Sequence, residues 1–240
     1  MNPRPWMTTI KFVTIAGVLL APGPVRGQQP AQKGAERFDM KVREDFYAGY
    51  NGDQARLDRA MKTCEDALAA DPKNSLVLAW HGGGLLFLAG QASRAGDREK
   101  GKELNDRGLQ EMQSAVDQSP DDISVLITRG ATLQAQARHL RNQEVADRLM
   151  RLALSDYEHT RELQAAYLDT KSAHARGELL LGLADGYSRV GEMDQAISLF
   201  EKIRKELPDT PYASSADLWL QTKSPLPVAK TGCFGCHAGK

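Results

Sequence analysis

Between Gly177 and Pro208 the apolar and small side chains fall at Leu180, Leu183, Ala184 and Tyr187, and then at Ala196, Phe200 and Ile203. That three-to-four spacing is the signature of two helices, each with one apolar face. It predicts a helix ending near Arg189, a turn over residues 190–192 and a second helix stopped by Pro208. Gly191 permits the reversal, and the proline cannot continue the helix. A single hairpin of this kind cannot bury its own apolar faces, so it needs neighbours built the same way.

The rest of the chain supplies them. Residues 36–71 read as one hairpin, with Phe38, Val42, Phe46 and Tyr47 on the first helix and Leu57, Ala60, Cys64, Ala67 and Leu68 on the second. Asn51-Gly52-Asp53 forms the turn, and Asp71-Pro72 the stop. A second hairpin opens at a cap on Asn74 or Ser75 and carries Trp80, Gly83, Gly84 and Phe87. After Gly90 an insertion is expected over 91–97, followed by a helix over 98–118 with Leu104, Leu109, Met112 and Val116 on one side. Ser119-Pro120-Asp121-Asp122 ends that helix and caps the next. A third hairpin has Leu126, Gly130 and Leu133 on its first helix, which runs to about Leu140 and turns near Asn142. Ala146, Leu149, Leu152, Ala153, Asp156 and Tyr157 mark its second helix. Residues 165–175 read as a link to the hairpin over 177–208. A last helix over 211–221, with Ala213, Ala216, Leu218 and Trp219, covers the open end of the row.

Two local features need a physical reason. Gly82-Gly83-Gly84 stands inside a predicted helix, where each glycine costs about 1 kcal/mol relative to alanine. Close approach by a neighbouring helix offsets that; a ligand pressing on the helix is the alternative. Cys64 stands at an apolar position, as a small buried filler or, on the alternative reading, as a reactive thiol that burial would silence.

The hairpin over 177–208 resembles the tetratricopeptide repeat, which has a period of about 34 residues and a pattern of large apolar, Leu-Gly, aromatic, then Ala, Phe, Ala and Pro. The match lies at Leu180, Leu183, Ala184, Tyr187, Ala196, Phe200, Ile203 and Pro208. It departs at Ala184, where Gly is usual, and at Ile203, where Ala is usual. Ala60, Cys64 and Ala67 stand at the same places counted back from Pro72, while the second and third hairpins exceed the period and keep half of the motif each. The resemblance implies an all-α, TPR-like superhelix of helical hairpins, an α-solenoid, over residues 36–222. It further implies that the first helix of each hairpin lines a concave wall that binds a protein partner. Transferred by register, the wall residues would be His81, Ile127, Gln134, Glu178, Leu181 and Asp185. They are mixed in character, and a plain solvated face is the competing reading.

Charge and composition narrow the setting. Basic and acidic residues balance at 31 each, so nothing directs the chain to nucleic acid. The start has Arg4 and Lys11, a short apolar run from Phe12 to Ala21, and a small-residue exit at Gly27, the arrangement of a secretory signal over residues 1–27. The apolar run is shorter than the roughly 20 residues a membrane span requires; an uncleaved anchor is the alternative. Removing Arg4, Lys11 and Arg26 from the 31 basic residues leaves 28 against 31 acidic ones. Residues 28–35, rich in Gln, Pro, Ala and Gly, read as a flexible lead-in. The expected product is exported to the periplasm or cell envelope, with no membrane span after signal cleavage.

The chemistry-bearing stretch is the tail, residues 223–240. Ser224-Pro225-Leu226-Pro227 cannot continue a helix, and Cys233-Phe234-Gly235-Cys236-His237 follows. Cys-x-x-Cys-His is the attachment signature of c-type haem. Two thiols three positions apart add to the two vinyl groups on one porphyrin edge, and the next imidazole becomes an axial ligand of the iron. Export agrees with this, because covalent haem attachment takes place outside the cytoplasm. Zinc, a redox dithiol and a structural disulfide remain open. Zinc lacks a fourth ligand nearby, the redox motif lacks a preceding strand, and so short a disulfide loop would constrain little. Only three residues follow His237, so an opposite axial ligand would have to come from the helical body or another protein. By residue type the candidates are Met193, His174 and His81. No nucleophile with a positioned base, paired carboxylates or phosphate loop is legible. The expected roles are an exported electron-transfer or cytochrome-assembly accessory with a redox partner at the tail, or an interaction scaffold without haem.

Overall fold

The computed structural model describes residues 37–227. The expected signal segment, the lead-in and the Cys233-x-x-Cys236-His237 motif lie outside the described residues. Those residues form an all-α fold of nine helices with no strand. The helices are α1 (Phe38–Tyr50), α2 (Gln54–Ala70), α3 (Ser75–Arg94), α4 (Arg98–Gln118), α5 (Ile123–Ala137), α6 (Gln143–Gln164), α7 (Ala173–Arg189), α8 (Met193–Glu206) and α9 (Pro211–Thr222).

The helices pair as α1/α2, α3/α4, α5/α6 and α7/α8. Each odd helix packs on the next odd one, and each even helix packs on the odd helix that follows it. This is a row of helical hairpins, with α9 closing it against α7 and α8. Three of the four hairpins share one turn. Gly52, Gly96 and Gly191 take φ of +107°, +92° and +83°. In each turn the amide after the glycine reaches back to close the first helix, Asp53 N–H to the Ala48 carbonyl, Asp97 to Ala92 and Glu192 to Tyr187. This six-to-one closure satisfies a carbonyl left over at the helix end. Asp53 and Asp97 then accept from the amides of Arg56 and Lys100, capping the helix that follows, a contact worth about 1 kcal/mol.

The links between hairpins repeat as well. Asp71-Pro72-Lys73-Asn74, Ser119-Pro120-Asp121-Asp122 and Leu207-Pro208-Asp209-Thr210 each end one helix, and their last residue caps the next through its side chain. The link before α7 is longer and contains a 3-10 turn over Leu168–Thr170.

Two boundaries differ from expectation. The helix α3 runs on to Arg94, so the first part of the expected insertion is helical. Ser172 caps α7, which begins at Ala173 inside the expected link. Neither stretch carries the apolar repeat that marks a helix in the sequence.

The packing positions of the α7/α8 unit, Leu180, Leu183, Ala184, Tyr187, Ala196, Phe200 and Ile203, are all buried. Trp219 of α9 stacks on Phe200 at 4.4 Å between ring centroids, sealing that end. Cys64 is fully buried, and desolvation, aided by Glu111 and Glu65, pushes its thiol up to about 12. It is therefore inert filler at neutral pH. Asp156, which shares the apolar face of α6, forms a two-pronged buried pair with Arg129 of α5 at 2.8 and 2.6 Å. Burial raises the Asp156 carboxyl, and the guanidinium opposes that rise.

The glycine run is explained by close neighbours on both sides, since a Cβ on Gly84 would strike Met61 of α2 and Phe46 of α1. A Cβ on Gly82 would lie 2.8 Å from the Gly108 carbonyl of α4, and one on Gly108 would lie 2.8 Å from the Gly82 carbonyl. The two helix backbones touch there. Gly82→Ala is expected to destabilise the fold by about 2 kcal/mol through forced separation of α3 and α4. Gly90→Ala, which meets only the flexible end of Arg94, should be neutral or stabilising. Urea titration of the two variants followed by circular dichroism checks the contrast.

Candidate functional site

Because the odd helices form one layer, their outward faces converge on a common groove of about 180 Å³. Arg37 and the α1 residues Asp39, Arg43, Tyr47 and Tyr50 line it from one side, and His174 and Glu178 of α7 from the other. Leu76, Trp80 and Gly83 of α3 and Ile127, Thr128 and Thr132 of α5 lie between them. No even helix contributes. The groove's apolar part is aromatic. Trp80 stacks on buried Phe46 at 5.4 Å and meets Tyr47 edge-on at 6.3 Å, and Tyr50 packs on Phe87 at 4.7 Å. Burial raises the Tyr50 phenol strongly, so it stays neutral. Trp80 Nε1 is buried and has no hydrogen-bond partner among the described residues, a donor that ordinarily finds one.

The charged rim is tied to the frame. Arg37 Nε donates to Asp39 at 3.0 Å, and Arg37 Nη2 donates to Ser124 Oγ of α5 at 3.0 Å, so the starts of α1 and α5 are bridged. Arg43 Nη2 meets the Met40 sulfur at 3.3 Å. At the far side, His174 Nδ1 lies 2.8 Å from Tyr212 Oη of α9.

Of the six wall positions expected from register, Ile127 and Glu178 line this groove. The other four do not. His81 is 1% exposed and turned toward α4, its Nδ1 2.6 Å from Glu111 Oε2. Gln134 is buried and donates to the Gly182 carbonyl at 2.8 Å, stitching α5 to α7. Leu181 belongs to the core around α7. Asp185 is fully buried and accepts from Arg138 at 2.7 Å and Arg189 at 2.8 Å. The physical reason is angular, since adjacent helix residues differ by about 100°. On α3 the groove takes Leu76, Trp80 and Gly83, and His81, the residue after Trp80, points to the partner helix. Tyr47 and Trp80 are legible in the sequence as packing residues of a helix face; they do pack, and they also line the groove.

The chain matches no protein-family model, no curated protein and no solved structure. Among the described residues no three His, Cys, Asp or Glu side chains gather in a way that could hold a metal ion. No described helix is long and apolar enough to cross a membrane.

Asp185 has a structural role that can be measured apart from binding. Its loss would leave Arg138, with a side chain 6% exposed, and Arg189 beside an uncompensated site. Asp185→Ala is expected to lose roughly 3 kcal/mol of stability, read as a lowered urea midpoint with the unfolding slope unchanged.

Proposed function

We propose that the chain is an exported, tetratricopeptide-like repeat protein that grips a segment of a partner protein in the groove between its odd helices and carries a covalent haem c on its tail. In that reading it is an electron-transfer or cytochrome-assembly accessory. The observation that carries the binding half is the groove itself, built by four successive odd helices and floored by Tyr47, Tyr50 and Trp80. Aromatic side chains give large contact area at low entropic cost, and Trp80 Nε1 is a donor left over for a carbonyl oxygen. The likeness to the repeat family is supported by the buried packing positions of α7/α8, by the shared Gly turn and by the Pro links.

The tail's donor set suits haem c: two thiols for the thioether bonds and one imidazole, at Cys233, Cys236 and His237. The group would supply one-electron transfer. A zinc ion held by the same three side chains would need a fourth protein ligand to complete its tetrahedron. Haem asks the body for one side chain at most.

The second reading, a scaffold without haem, is favoured by the groove itself, whose described lining comes from Arg37 and the odd helices α1, α3, α5 and α7. Expression with the haem-attachment machinery separates the two. The first reading expects a red protein whose pigment survives acid-acetone extraction and disappears in Cys233→Ala/Cys236→Ala; a colourless wild type leaves only the scaffold. For the groove, Trp80→Ala with Ile127→Arg should abolish capture of the envelope partner by the immobilised chain while helicity is kept. Unchanged capture would mean that the partner sits elsewhere.

A further inference from the structure

Apart from the groove, the described residues hold a second concavity of about 350 Å³, walled by α4 and α6 with α5 as its floor. Its origin lies in α4. Glycines draw that helix onto α3: a Cβ on Gly101 would lie 3.2 Å from the Ala89 carbonyl, as one on Gly108 would lie 2.8 Å from that of Gly82. Held there, α4 packs only lightly on α5. Two side-chain hydrogen bonds bridge the gap, from Arg129 Nη1 to Gln113 Oε1 at 2.9 Å and from Gln136 Nε2 to Asn105 Oδ1 at 3.0 Å. The apolar residues between those bridges stay open to the cleft.

Met112 and Leu133 are each 1% exposed and form its base, with buried Leu149 beside them. Leu109 and Leu152 are only half-buried at the mouth. Arg129 and Leu133 stand about 100° around α5 from Thr128 and Thr132 of the groove, so the two concavities use different faces of that helix. A mainly apolar hollow of this size with a few polar groups at its edge is the usual form of a small-molecule site.

The polar edge selects the ligand's charge. Two arginines and no carboxylate line the cleft. The Arg129 guanidinium is already engaged by Asp156 and Gln113. Arg148 on α6 and Gln110 on α4 have no hydrogen-bond or ion-pair partner for their side chains among the described residues. A cation would meet a guanidinium and no acid here. A neutral apolar molecule would cover the cleft and leave those donors without a partner, at a desolvation cost. A carboxylate accepts from both, and a guanidinium donates to it through two parallel N–H groups.

We propose that this cleft binds a small amphiphilic carboxylate, a medium-chain fatty acid anion, with its chain on Met112, Leu133 and Leu149 and its head on Arg148 and Gln110. The site is independent of the partner groove and of haem.

The test is calorimetric titration of the full chain with octanoate, 1-octanol and octylammonium, all below micelle formation. One octanoate is expected to bind per chain, more tightly than 1-octanol, with no binding of octylammonium. Arg148→Gln should weaken octanoate about tenfold and leave 1-octanol unchanged. Leu152→Asp should remove both; if that variant loses helicity, Leu109→Gln provides the same readout. In protein labelled at the methionine methyls, the Met112 resonance, assigned from Met112→Leu, should shift as octanoate is added. Absence of saturable octanoate binding, equal binding of octylammonium, or wild-type octanoate affinity in Arg148→Gln overturns the proposal. So does an unmoved Met112 methyl with binding lost in Trp80→Ala/Ile127→Arg, which would put the ligand in the groove.

Discussion

The fold depends on a turn in which one residue ends a helix and starts the next. In three hairpins a glycine at positive φ lets the following amide return to the carbonyl five residues earlier. Where that residue is Asp53 or Asp97, its carboxylate also caps the incoming helix. Both helix ends are satisfied within three residues, which leaves no slack. The antiparallel reversal is thus held by backbone hydrogen bonds within the turn itself. Since an amphipathic hairpin cannot bury both of its faces alone, identical turns produce a row.

Once the row exists, its internal tolerances are small. The α3 and α4 backbones meet at Gly82 and Gly108 with no room for a methyl group. Between α5 and its neighbours, buried polar pairs add to the apolar packing of Leu133 and Ala137: Arg129 with Asp156, Gln134 with the Gly182 carbonyl, and Arg138 with Asp185. Breaking such a buried pair is costly, while its net contribution is modest. These contacts fix which face of each odd helix turns outward. The groove is the consequence, formed where the odd helices present what they do not bury.

The last helix links body and tail. Trp219 closes the core, Tyr212 orients His174 at the groove, and the segment after α9 returns Leu226 to Arg189.

The sequence by itself determined what is local. Pro72, Pro120 and Pro208 with their following cap residues, and the glycines of the turns, act on the backbone within a few residues, so helix order and most boundaries could be read directly. Stretches whose helicity has no apolar repeat, such as 91–94 and 173–176, were not legible, because a cap or a continuing hydrogen-bond ladder holds them. The tail motif is legible for the same local reason, since its chemistry depends on spacing alone. Tertiary structure decided which side chains face the groove. Trp80 and His81 are neighbours in sequence and about 100° apart around α3, and only the crossing at Gly82 and Gly108 puts the first in the groove and the second against Glu111. On a helix buried on most of its surface, which of the two faces the groove leaves no mark on periodicity, because it is chosen by packing between residues far apart in the chain.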